Sequence, residues 1–163
     1  MQLSAEGEAL LKSVEELRLT PYDDQTGKGI STWVKGATIG YGHLIARSEW
    51  PLYERGITSN QADTIFQADS EPFVRAVNEN ITVRLEQHQF DAAVMLAYNI
   101  GVVGFSSSSA VKLINDPAAS TPYSDLESAW KAWKRSQGSV NRGLINRRNA
   151  EWNVYSKAIY ENW

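Results

Sequence analysis

The sequence of 163 residues has no cysteine, only two histidines, five prolines and little net charge. Each shortage excludes something. Without cysteine there are no disulfides, no thiolate metal ligands and no cysteine nucleophile, so packing must stabilise the fold in any redox compartment. His43 and His88 have no second histidine at ligand spacing, so no metal site is expected. The net charge of −3, from 16 basic against 19 acidic side chains, argues against a dedicated nucleic-acid binder. The longest apolar runs, 92–98 and 100–105, are separated by Asn99 and fall far short of the ~20 residues that span a bilayer. They read as core, and no stable membrane insertion is expected. The segment Met1-Gln2-Leu3-Ser4-Ala5-Glu6 lacks a cationic region followed by an apolar stretch, so no signal peptide or transmembrane segment is expected.

What remains is a composition that must fold: 42% hydrophobic, 21% charged and 10% aromatic. The length suits one domain, 1–163, able to form two lobes around a cleft. Charge is uneven: residues 1–80 carry 7 basic and 12 acidic side chains, and residues 81–163 carry 9 and 7. Any anionic polymer would meet the C-terminal half first.

Ser4 is a plausible N-cap, and Leu3, Gly7, Leu10, Val14 and Leu17 recur at helical spacing until Pro21, which predicts a first helix over 5–18. From 23 to 43 the text turns to glycines and short β-friendly pieces, 30–34 and 38–41, which predict a small antiparallel sheet. Thr58 or Ser59 then caps a long helix with Ala62, Ile65, Phe66, Phe73 and Val77 on one side, kinked or restarted at Pro72. Further helices are predicted over 84–100, 108–115, 124–136 and 144–161. The fold class is therefore α+β. A sheet lobe over about 1–57 and a larger helical lobe over 81–163 are joined by a long helix over 58–80, with a cleft between them. Trp130, Trp133 and Trp152 sit at core spacing, Trp50 and Trp163 are the candidates for exposure, and His88 reads as a surface residue.

The chemically informative stretch is Glu15-Glu16-Leu17-Arg18-Leu19-Thr20-Pro21-Tyr22-Asp23-Asp24, followed by Gly36-Ala37-Thr38-Ile39-Gly40-Tyr41-Gly42-His43. Pro21 breaks the helix, so the chain can turn and bring Asp24 back toward Glu15. A carboxylate in the last turn of a helix has its pKa pushed upward by the macrodipole, which suits a general acid. Adjacent acidic pairs are also common solvated surface. Two carboxylates beside a glycine-rich hairpin, however, are what glycoside hydrolysis requires.

These residues resemble the catalytic signature of the phage-type lysozymes, the endolysins of glycoside hydrolase family twenty-four: Glu, eight residues, Asp or Cys, five residues, Thr. Eight residues do separate Glu15 from Asp24, and the similarity continues through Ile57-Thr58, Tyr98-Asn99-Ile100-Gly101 and Gly143–Glu151. Thirteen residues lie between Asp24 and Thr38 where the family has five, which implies an eight-residue insertion. Thr26 and Thr32 therefore stay open as alternatives. The insertion carries Trp33, either a sugar-stacking ring or part of the lobe's core.

The resemblance implies a cofactor-free lysozyme, a muramidase cutting the β-1,4 bond between N-acetylmuramic acid and N-acetylglucosamine in peptidoglycan. Glu15 would be the acid, Asp24 the carboxylate at the anomeric face and Thr38 the holder of the attacking water, with inversion expected. Leu44, Tyr98, Asn99 and Ser108 would line the sugar groove, though Tyr98 and Asn99 read equally as core and helix end. One arginine of Arg142, Arg147 and Arg148 would approach the acid, with Arg148 the first choice, and its charge would oppose the dipole's effect on Glu15. With the long helix packed as expected, His43 meets Asp69, which predicts a raised His43 pKa. The partners implied are glycan strands, and the chain would be a monomer that waits in the host cytoplasm. It would reach the periplasm and wall after a separate holin-type protein acts. A lytic transglycosylase and an inactive wall-binding protein are the rival readings.

Overall fold

Thr58 and Gln61 set the start of the longest helix by exchanging hydrogen bonds: the Gln61 amide donates to Thr58 Oγ1 at 3.1 Å and the Thr58 amide to Gln61 Oε1 at 2.8 Å. This capping box satisfies two of the amides that a helix leaves orphaned at its start. The computed structural model describes residues 1–163. The chain order is α1 (Ala5–Ser13), β1 (Arg18–Asp23), β2 (Ala37–Gly40), β3 (His43–Leu44), a 3-10 turn (Arg47–Glu49), α2 (Trp50–Tyr53) and α3 (Ser59–Asn80). It continues with α4 (Gln87–Ile100), α5 (Val102–Ser106), α6 (Ser109–Asn115), α7 (Leu126–Lys131), β4 (Arg135–Ser136), β5 (Ser139–Val140) and α8 (Arg142–Lys157). No helix is long and apolar enough to cross a membrane. The class is α+β, helix-dominant, with a three-stranded antiparallel sheet β1-β2-β3 and a hairpin β4-β5.

Two compact units divide the chain, Lys12–Glu71 and Met1–Leu11 with Pro72–Trp163. The boundaries fall inside α1 and α3, so the first helix is shared between the units where the sequence assigned it wholly to the sheet lobe. Helix α3 runs through Pro72 without interruption rather than restarting there.

In the sheet unit, α1 stops at Ser13, not at residue 18. The Glu15 amide turns back to the Lys12 carbonyl at 3.1 Å, and the chain from Arg18 onward enters the sheet. Apolar spacing ran on through Leu17, but pairing with β2 won. Pro21 lies within β1 because β1 is an edge strand, where a residue without an N–H breaks no ladder. The predicted strand over 30–34 is a loop. Its Ile30, Trp33 and Val34 pack on the buried cluster Ala37, Ile39 and Ile45, joined by Trp50, Tyr53 and Ile57. Trp33 donates its indole N–H to the Ile45 carbonyl at 2.9 Å, with the Arg47 guanidinium 5.4 Å from its ring. It is lobe core. Trp50, read as exposed, packs into the same cluster.

In the helical unit, the stretch from Phe90 to Ala97 on α4 is buried along its whole length, and α8 packs against this helix. Two buried carboxylates are satisfied in full. Asp91 accepts from the Ser4 amide and hydroxyl, Gln87 Nε2 and the Tyr160 hydroxyl, while Ser4 in turn takes the Gly7 amide at the start of α1. Glu151 accepts from Arg147 Nε and Trp130 Nε1. Burial and the Asp91 hydrogen bond push the Tyr160 phenol well above the usual tyrosine range. His88, read as a surface residue, is half-buried, its Nδ1 2.9 Å from the Val154 carbonyl. Trp130 is fully buried, whereas Trp133 reaches the surface.

Candidate active site

In the sheet unit, β2 is the central strand, so its residues are held on both sides. Thr38 pairs with Tyr22 on β1 and with Leu44 on β3. Directly opposed residues share a face, so Tyr22, Thr38 and Leu44 form one row across the sheet. Thr38 is almost fully buried and Leu44 is 59% exposed. Burial pushes the Tyr22 phenol up, opposed by the Arg18 guanidinium 4.1 Å from its ring.

Asp24 follows β1 directly and is exposed. Its amide donates to the Gly36 carbonyl at 3.0 Å, and Thr38 Oγ1 donates to the same oxygen at 2.9 Å. One carbonyl therefore gathers Asp24 and Thr38. Thr26 and Thr32 are exposed loop residues; the Thr26 hydroxyl oxygen accepts from the Lys28 amide. Of the three threonines, it is Thr38 that shares Asp24's acceptor.

Glu15 is half-buried just past α1. It borders the β2–β3 turn, where a Cβ on Gly42 would lie 3.4 Å from Glu15 Oε2. Gly42 and Gly40 hold positive φ of 86° and 69°, which a side chain would resist, so this turn requires its glycines. Glu15, Asp24, Thr38, Leu44 and His43 thus belong to one unit.

His43 stands between two carboxylates. Its Nδ1 lies 2.8 Å from Asp69 Oδ2 and its Nε2 lies 3.4 Å from Glu49 Oε2. The Asp69 hydrogen bond raises its pKa above the usual histidine range against the opposing effect of burial, and Glu49 adds to the rise. The expected Asp69 contact is present. Glu49 was not foreseen; it enters through the 3-10 turn, which carried no periodic signal.

The other candidates lie in the helical unit. Tyr98 is half-buried, its ring 5.0 Å from that of Phe73, and exposed Asn99 accepts from Arg148 Nη2. Arg148 is buried as expected, with Nη1 3.4 Å from Glu151, and burial lowers its pKa. Arg147 is buried as well, while Arg142 is exposed. Ser108 is the N-cap of α6: its hydroxyl accepts from the Val111 amide and donates to the Phe105 carbonyl. It borders a pocket of about 350 Å³ with Ser107, Ser109, Tyr123 and Trp133. A larger pocket of about 440 Å³ in the sheet unit is lined by Leu52, Tyr53, Ile57, Asn60, Gln61, Thr64 and Ile65, none of them a candidate for the chemistry. No group of three or more His, Asp and Glu side chains is arranged to hold a metal ion. Besides Glu49, sequence reasoning gave no role to Gly36, which stands in the informative stretch two residues before Thr38.

A helix-dominant α+β chain with Glu15 between α1 and the small sheet, Asp24 just after β1 and Thr38 buried on the central strand has the class of a lysozyme-like fold. The phage lysozyme family model matches residues 12–151, and the chain belongs to that family of lysozyme-type glycoside hydrolases. It is 35% identical over 99% of its length to the endolysin of Bacillus phage PZA, of which it spans 58%. Among solved structures it is similar to an endolysin from Escherichia coli O157:H7 phage FAHEc1, with a TM-score of 0.77, 31% identity and coverage of 99% of this chain and 98% of that one. The muramidase domain of SpmX from Asticaccaulis excentricus gives a TM-score of 0.74 at 29% identity, covering 96% and 98%.

Proposed function

We propose that this chain is an endolysin, a muramidase that hydrolyses the β-1,4 bond between N-acetylmuramic acid and N-acetylglucosamine in peptidoglycan and so releases phage by host lysis. Glu15 gives its proton to the glycosidic oxygen as the bond to the anomeric carbon breaks. Water attacks that carbon from the opposite face, and Asp24 stabilises the developing cation and takes the water's proton. Thr38 holds the water, and the product is inverted. Leu44, beside Thr38 in the sheet, is a sugar-binding residue, and so, within the helical unit, are Tyr98, Asn99 and Ser108. The enzyme is a single domain that works as a monomer. It stays in the host cytoplasm until a separate holin-type protein gives it access to the periplasm and wall.

The observation that carries this reading is the gathering of Asp24 and Thr38 on the Gly36 carbonyl, within a chain that belongs to the phage lysozymes. The test is release of reducing ends from purified peptidoglycan by the wild type and by Glu15→Gln, both checked for folding. The wild type should release reducing N-acetylmuramic acid, and the variant should lose on the order of 10²-fold or more, the usual cost of removing a general acid. Anhydro ends would point to a transglycosylase instead. Proton NMR of the first-formed anomer decides inversion.

A further inference from the structure

We propose that Gly36 is a positioning residue of this site, one that sets both Asp24 and Thr38. The inference rests on the catalytic reading of those two residues given above. Three observations carry it. First, the Gly36 carbonyl is the common acceptor for the Asp24 amide and the Thr38 hydroxyl. A hydroxyl that has committed its proton to a carbonyl offers only lone pairs elsewhere, so Thr38 meets a water as an acceptor. With Asp24 also an acceptor, both hydrogens of one water are taken, and the water's own lone pair is left for the sugar carbon.

Second, Gly36 has no room for a side chain. A Cβ built there would lie 2.3 Å from Asp24 Oδ1 and 2.7 Å from Asp23 Oδ1. Both carboxylates rest against this bare α-carbon. Third, they are not equally free to leave it. Asp23 Oδ1 accepts the Gln25 amide at 3.0 Å, and the Asp23 carbonyl accepts from the amides of Thr26 and Gly27, so Asp23 is fastened into the loop. A methyl group at position 36 would press on both carboxylates, and the larger displacement would fall on Asp24, the nearer and the less fastened of the two. The φ of Gly36 lies outside the left-handed region, so the backbone itself would accept alanine. Clearance for Asp24 is what this glycine supplies.

The experiment compares kcat, KM and Tm on purified peptidoglycan for the wild type, Gly36→Ala, Asp24→Asn and the control Gly29→Ala. Gly29 lies in the same loop, also outside the left-handed region, and a Cβ there would meet nothing nearer than the Pro21 carbonyl at 3.8 Å. Gly36→Ala should lose roughly tenfold or more in kcat, with KM within about twofold and Tm near that of the wild type, the pattern of a misplaced reacting group. Gly29→Ala should match the wild type in all three. A Gly36→Ala protein that retains its kcat, that unfolds, or whose loss appears in KM overturns the proposal, because displacing the Asp24 carboxylate costs turnover and not fold. Should Asp24→Asn remain fully active, it is the catalytic reading of Asp24 that falls, a result distinguishable from normal turnover in Gly36→Ala alone.

Discussion

At the scale of single residues, His43 shows how a local arrangement becomes a property that can be titrated. Its pKa is raised in the folded chain from 6.5, chiefly by the Asp69 hydrogen bond. A basic group raised on folding stabilises the fold fully below its unfolded pKa, and that contribution is lost as pH climbs through the folded value. The Tm difference between wild type and His43→Gln should therefore be largest just below pH 6.5 and shrink as pH rises through the raised folded value. A difference that stays constant across that range counts against the charged pairing. The Asp69 contact was legible because a histidine just after the hairpin faces a carboxylate on the predicted long helix. The Glu49 contact was not, because it depends on a turn fixed by packing rather than by periodicity.

At the scale of elements, capping residues were the most reliable guide. Thr58 or Ser59 was read as the cap of the long helix and 108 as the first residue of another; in the structure Thr58 and Ser108 are the caps. Thr58→Ala should cost about 1 kcal/mol in denaturant unfolding, the usual worth of an N-cap hydroxyl. No measurable change would mean that α3 is held entirely by packing. Two readings misled: apolar spacing carried α1 past Ser13, where β-pairing took over, and β-friendly residue types made a strand of residues 30–34, of which Ile30, Trp33 and Val34 serve the core from a loop. The hairpin β4-β5 was invisible because its turn is Gln137-Gly138, with positive φ of 51° and 82°. Asn or Asp at the first position would have signalled it, and glutamine does not. In the site, the spacing of Glu15 and Asp24 and the motif around Thr38 were readable, whereas the role of Gly36 depends on distances between segments remote in sequence.

At the scale of the whole molecule, both unit boundaries fall inside continuous helices, at Leu11–Lys12 within α1 and Glu71–Pro72 within α3. A helix cannot melt on one side of such a boundary without losing hydrogen-bonded turns that the other side propagates. Calorimetry should therefore show one unfolding transition with equal calorimetric and van't Hoff enthalpies. Two resolved transitions would make the units independent domains.

The bond from the Asp24 amide to the Gly36 carbonyl closes the loop between β1 and β2 at its base. The segment from Gln25 to Lys35 is also tied back to β1, by the Asp23 amide donating to the Lys28 carbonyl and the Ile30 amide to the Pro21 carbonyl, and each doubling of loop length costs only about 0.6 kcal/mol of closure entropy. Descendants of this gene can redecorate the exposed positions of that segment, Ser31, Thr32 and Lys35, while Ile30, Trp33 and Val34 stay committed to the core of the sheet unit. Inheritance can experiment there while the chemistry stays where it is.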